Sequence, residues 1–149
     1  MKRRLRRERI HKKLKDISDA VKLVADHLPE DFDAFSQLGL VKDGIYKKIE
    51  FAIECMLDVL AILNADLALG VPGNEEDIIG HVEQKNIIDS NSAEKVREMR
   101  GFRNILVHRY SDINDRLAFH ALKEHLNDFD EFIRIIERFL ATVKTEKSP

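Results

Sequence analysis

Apolar side chains recur at helical steps over both ends of this chain, and that periodicity restricts it to packed α-helices. Ile10, Leu14, Ile17, Val21, Val24 and Leu28 follow at steps of 4, 3, 4, 3 and 4, a single stripe on a helix that Pro29 stops. Leu122, Leu126, Phe129, Ile133, Ile136, Leu140 and Val143 repeat the pattern on a last helix expected to begin near Asn114. No window alternates with period two over the length of a strand.

The middle of the chain reads the same way. Asp43 can cap a helix running to about Leu69, with Ile45, Ile49, Ile53, Met56, Leu60, Leu63 and Leu67 inward. Ala52, Leu57 and Val59 widen that face, and a helix apolar over so broad an arc belongs at the centre. Gly70 and Pro72–Gly73 are expected to end it. Residues 30–42 carry Phe32, Phe35 and Leu38 among acids and read as a short helical turn or an ordered loop. Asn74 can cap a short helix to about Lys85, with Ile78, Ile79 and Val82 inward. The cluster Asp89, Ser90, Asn91, Ser92 can cap another, anchored by Val96, Met99, Phe102 and Leu106 and reaching about His108. The expectation is an all-α, four-to-five-helix up-and-down bundle, one domain over residues 1–149.

Composition agrees: of 149 residues 44% are hydrophobic and 35% charged, with six Gly and three Pro, which suits amphipathic helices and neither disorder nor a turn-rich β fold. The lone Cys55 excludes an internal disulfide and reads as a buried, inert thiol. No apolar run approaches the roughly 18 residues that span a bilayer, and no secretory leader is evident. A cytoplasmic protein without membrane contact is expected. Charge is uneven. The formal net charge is -2, but residues 1–15 hold nine Lys and Arg against Glu8, a local +8 that leaves -10 for the rest. That basic N-terminal extension could contact phosphate backbones or an acidic partner. It could equally be a solvated helix start, prone to fray because its charge opposes the helix dipole.

The unusual stretch is Gly101-Phe102-Arg103-Asn104-Ile105-Leu106-Val107-His108-Arg109-Tyr110. Glycine inside a helix costs about 1 kcal/mol relative to alanine, commonly in exchange for close approach by another backbone. At about 100° per residue, Gly101, Asn104 and His108 share a side with Arg97, away from the Val96–Met99–Phe102–Leu106 core side. That side is expected to face a cleft or a partner, such as a second copy of the same helix. Arg103 and His108 point about 140° apart on one helix, so two crossing helices would combine them better around one phosphate. An arginine fork matches phosphate oxygens and a histidine moves protons near neutral pH. Together they suit cleavage of RNA by its own 2′-hydroxyl, with Arg103 stabilising the phosphorane, His108 moving the proton and Asn104 orienting the imidazole or holding a phosphate oxygen. The same residues allow a plainer account, in which Arg103 pairs with an acid and His108 ends its helix.

Arg103…His108-Arg109-Tyr110 behind Gly101-Phe102 resembles the signature of the HEPN superfamily, and more narrowly that of HepT-like toxins that pair with a minimal nucleotidyltransferase antitoxin. The likeness runs from about Ile10 to Ala141. It implies a homodimer whose Arg103 and His108 line one groove, with Asn104 part of the motif, and metal-independent endoribonuclease activity. It further implies that Tyr110 accepts AMP groups from ATP through the antitoxin, which would block the groove. An aromatic merely packed at the helix end is the alternative for Tyr110.

Glu50, Glu54 and Asp58 form a four-residue-spaced stripe that is either solvated or faces the basic groove. Asp58, deep in the apolar stretch, is the candidate to hold Arg103 or His108. Gly101 and Arg109 are taken as supporting residues. The other histidines, His11, His27, His81, His120 and His125, lack ligand spacing, and no phosphate-binding glycine loop or hydrolase elbow occurs, so neither metal nor cofactor is expected. A non-catalytic module that binds a nucleotide or docks a nucleotidyltransferase is the second functional reading.

Overall fold

The computed structural model describes residues 4–143, so Lys2 and Arg3 of the basic segment lie outside the described residues. These residues form seven α-helices: α1 (Arg7–His27), α2 (Phe32–Ser36), α3 (Leu40–Asp66), α4 (Glu75–Gln84), α5 (Ser90–His108), α6 (Asp115–His125) and α7 (Asn127–Thr142). A single 3-10 turn, Tyr110–Asp112, joins α5 to α6. The all-α bundle expected from periodicity is what forms. Its count exceeds four to five because a short helix is added and the last one divides.

The broad apolar arc of α3 puts that helix at the centre, packed against α1, α4 and α5, while α7 closes on α1 and α2 rests on α6. Ile49, Ile53, Met56, Leu60 and Leu63 are buried among the α1 stripe of Ile10, Leu14, Ile17, Val21 and Val24. Cys55 is buried too, and burial pushes its thiol up to about 11, so it stays protonated and unreactive.

Residues 30–42 contain α2, capped by Asp31, which accepts from the Ala34 N–H at 2.9 Å. The helix exists to seat Phe35, fully buried against Phe32, Tyr46 and Phe119 at ring separations of 5.1–6.5 Å. The start of α3 differs from expectation. Gly39, at φ 60, precedes the helix, and Asp43 falls within the first turn rather than at the cap. Its carboxylate still complements the helix dipole there, and its oxygens are left for another element. The single long last helix is interrupted at Leu126, which lets α6 face α2 while α7 follows α1.

The basic start of α1 does not project away. The Arg6 backbone N–H and guanidinium both donate to the buried Asp66 carboxylate at 3.0–3.2 Å. Arg7 donates to the Leu140 carbonyl at 2.9 Å, tying α1 to the end of α7. These bonds counter the fraying expected of a cationic N-terminus. Lys12, Lys13 and Lys15 pair with Asp16, Asp58 and Asp19. No helix among the described residues is long and apolar enough to cross a membrane.

Candidate functional site

Helix α5 begins where the sequence places a cap, with Asp89 accepting from the Ser92 N–H at 2.7 Å, and runs unbroken to His108. Val96 and Leu106 bury its apolar side, and Met99 and Phe102 pack on the core edge. With the helix thus fixed in rotation, Arg103 turns inward and is 8% exposed, while His108 ends the helix in solvent. Their divergence is the one the helical spacing requires.

Arg103 is held from three directions. Its Nε donates to Asn104 Oδ1 at 3.0 Å, Nη1 to Glu54 on α3, and Nη2 to Glu75 at the start of α4. Glu75 also accepts from Arg100 Nε at 2.9 Å, so one carboxylate fastens two arginines a turn apart. Burial opposes the guanidinium's charge, but the two carboxylates outweigh it and raise the Arg103 pKa. Burial would likewise raise Glu75, yet hydrogen bonds from Arg100 and Arg103 hold it below the ordinary glutamate range. Three of the five guanidinium N–H groups are used, which leaves two for a ligand.

Asp58 does not hold Arg103 or His108. It accepts from Lys13 Nζ at 3.0 Å on the α1 side, and one helical turn earlier Glu54 takes the role expected of it. The acidic stripe therefore divides, with Glu50 paired to Lys47. Glu75 was not singled out by sequence reasoning. It lies 28 residues from Arg103, and its only local signal was its place in an acidic first turn. Arg97 also leaves the open side expected for it, because α4 draws it in through Glu76 at 2.7 Å and Glu83 at 2.9 Å.

Gly101, Asn104 and His108 do form an open side. A Cβ at Gly101 would meet nothing within 4 Å, so no packing among the described residues accounts for the glycine. The His108 side chain makes no hydrogen bond or ion pair among the described residues, and Arg109 is exposed at the helix end. Tyr110, in the 3-10 turn, is 43% exposed. Its ring meets Tyr46 edge-on at 6.0 Å, and its hydroxyl donates to Asp43 Oδ1. Beside it, Tyr46 Oη and Lys42 Nζ donate to Asp115 at 2.6 and 2.8 Å. Within one chain, then, Arg103 joins Asn104 but not His108 or Tyr110.

A family model described as Ribonuclease HepT-like matches residues 17–136. The chain is 29% identical over 107 residues to the mRNA nuclease HepT of Shewanella oneidensis, a span covering 72% of this chain and 80% of that one. It is 27% identical over 143 residues to a putative RNase of Archaeoglobus fulgidus, covering 94% and 99%. Its fold matches a tri-AMPylated HEPN toxin of Shewanella oneidensis solved with its MNT antitoxin, at TM-score 0.80 and 27% identity over 87% of this chain and 97% of that one. A cytosolic protein of unknown function from Bacillus subtilis, YutE, shares the fold at TM-score 0.82 and 18% identity over 98% of each chain. With the match spanning every helix from within α1 into α7, the chain belongs to the Ribonuclease HepT-like family.

Proposed function

We propose that this protein is a cytoplasmic toxin of a toxin–antitoxin pair, an endoribonuclease that acts as a homodimer and needs no metal. The observation that carries this reading is the division of labour on α5: a guanidinium locked in place, and an exposed imidazole at the helix end with no partner among the described residues. Arg103 and His108 diverge within one chain, and Gly101 lies open to close approach by a second α5. Two copies crossing there would bring Arg103 and His108 of both to one groove. RNA laid in it carries its own nucleophile. The 2′-oxygen bonds to the adjacent phosphorus as the 5′-oxygen leaves, giving a 2′,3′-cyclic phosphate. His108 moves the proton, Arg103 stabilises the charge on the phosphorane, and Asn104 keeps the guanidinium plane.

The relative solved with an MNT antitoxin is described as tri-AMPylated. By that analogy the partner here is a nucleotidyltransferase, and Tyr110, exposed two residues beyond His108, is the site at which AMP is added to silence the groove. Glu54 and Glu75 already neutralise Arg103 in the single chain, and this favours the second reading, a module that docks a nucleotidyltransferase without cutting RNA.

The test compares the unmodified protein with Arg103→Ala and His108→Ala at matched soluble levels, for growth arrest on expression and for RNA cleavage by purified protein. Arrest and cyclic-phosphate products from the unmodified protein alone are expected. Cleavage that survives in His108→Ala would remove the histidine from the mechanism. No cleavage by any of the three would leave the docking module.

A further inference from the structure

The hydroxyl of Tyr110 has one hydrogen-bond acceptor among the described residues, Asp43 in the first turn of α3. Asp43 makes no capping hydrogen bond at that helix, which Gly39 precedes, and the neighbouring carboxylate, Asp115, is occupied by Tyr46 and Lys42. Asp43 and Tyr110 line one surface cavity of about 270 Å³ with Tyr46, Lys47, Glu50 and Leu106. Both groups are exposed, so a nucleotide could reach the phenol without unfolding anything. Partial burial, and then the hydrogen bond to Asp43, push the phenol well above its ordinary pKa. Tyr110 therefore rests protonated, and any attack by its oxygen needs a base at the moment of reaction.

We propose that Asp43 is a catalytic residue of Tyr110 modification, the base that takes the phenolic proton as the tyrosine oxygen attacks a nucleoside triphosphate. This rests on the reading of Tyr110 as the modified residue and adds the group that makes it reactive. Tyr110 Oη bonds to the α-phosphorus, the bond from that phosphorus to the bridging oxygen breaks, and pyrophosphate leaves with the electron pair. The proton passes to Asp43 and then to solvent, and ATP is the co-reactant. His108, though near in sequence, makes no bond to the phenol. Asp43 thus serves the modification and stands outside the RNA-cutting pair.

The full chain is incubated with its nucleotidyltransferase partner, ATP and magnesium, and the first AMP addition is timed by intact mass at saturating partner. Asp43→Asn, which keeps the shape and an acceptor oxygen but not the basicity, is expected to slow addition by roughly 100-fold or more, within the usual range for a general base. Asp43→Glu is expected to recover part of the rate, and partner affinity is expected to be unchanged in both. Addition to Asp43→Asn at the unmodified rate overturns the proposal, as does a slowing matched by an equal loss of partner affinity. Tyr110→Phe separates the two ideas. If it still accepts AMP, or if the unmodified chain accepts none, the reading of Tyr110 itself fails; if only Tyr110→Phe is inert while Asp43→Asn reacts normally, that reading stands and Asp43 is not the base.

Discussion

Charged side chains near Arg103 act as a unit, and their pH behaviour follows from Glu75. Its pKa lies below the ordinary glutamate value of 4.5 because Arg100 and Arg103 donate to it despite its partial burial. A carboxylate depressed in this way adds stability that is complete above 4.5 and is lost as pH falls through its lower native value. Glu75→Gln is therefore expected to lower Tm at pH 7, with the gap to the unmodified protein closing as pH drops below 4.5. Equal Tm values at pH 7 would mean that water serves the two arginines as well as Glu75 does. The stripe containing Glu54 was expected either to be solvated or to face the groove, but which of its acids meets Arg103 was not legible, and nothing local links Glu75 to an arginine 28 residues away. Asp58 looked the better candidate only because its neighbours are apolar, and Lys13 reaches it from α1 instead.

Helix ends show how local chemistry and chain reversal combine. Helix α4 closes with Asn86 at φ 58, whose N–H donates to Glu83 while that of Ile87 reaches back to Val82 at 3.0 Å. Helix α3 closes in the same pattern, with Ala68 donating to Ala65 and Leu69 to Asn64, but the left-handed residue is Ala68 at φ 53. The sequence pointed to Gly70 and Pro72–Gly73 as the stop, because those residues favour such geometry and alanine does not. Alanine accepts the strain since the apolar α3 stripe is exhausted by Leu67 and the chain must turn there to deliver α4. Ala68→Gly is expected to stabilise the protein by up to about 1 kcal/mol, less the entropy glycine gains on unfolding, as read by denaturant midpoint. A loss of stability would show that Ala68 contributes packing worth more than its strain.

At the scale of the whole molecule the question is whether one chain or two make the site. Arg103 faces α3 and α4 while His108 faces solvent, so a groove needing both draws on two copies or on a rearranged one. Mixing decides this without a structure of the dimer. Arg103→Ala and His108→Ala chains, each inactive alone, are expected to regain RNA cleavage when unfolded together and refolded, because each mixed dimer keeps one intact arginine and one intact histidine. No recovery, with mixed dimers present by mass, would place the two side chains of one chain in one site.

Legible from the residues alone were the helical class, the central place of α3, the cap at Asn74, the cap cluster from Asp89 to Ser92, a helix start near Asn114 and the unusual stretch from Gly101 to Tyr110. These follow from spacing and from single-residue chemistry, which act over a few residues and so are written locally. Which acids hold Arg103, that the Tyr110 hydroxyl meets Asp43, and that the basic start of α1 is tied down by Asp66 and Leu140 emerge only when the helices pack. A charged side chain on a helix surface satisfies local rules with any partner or with water. Which partner it meets depends on how neighbouring helices are rotated and offset when their apolar faces close.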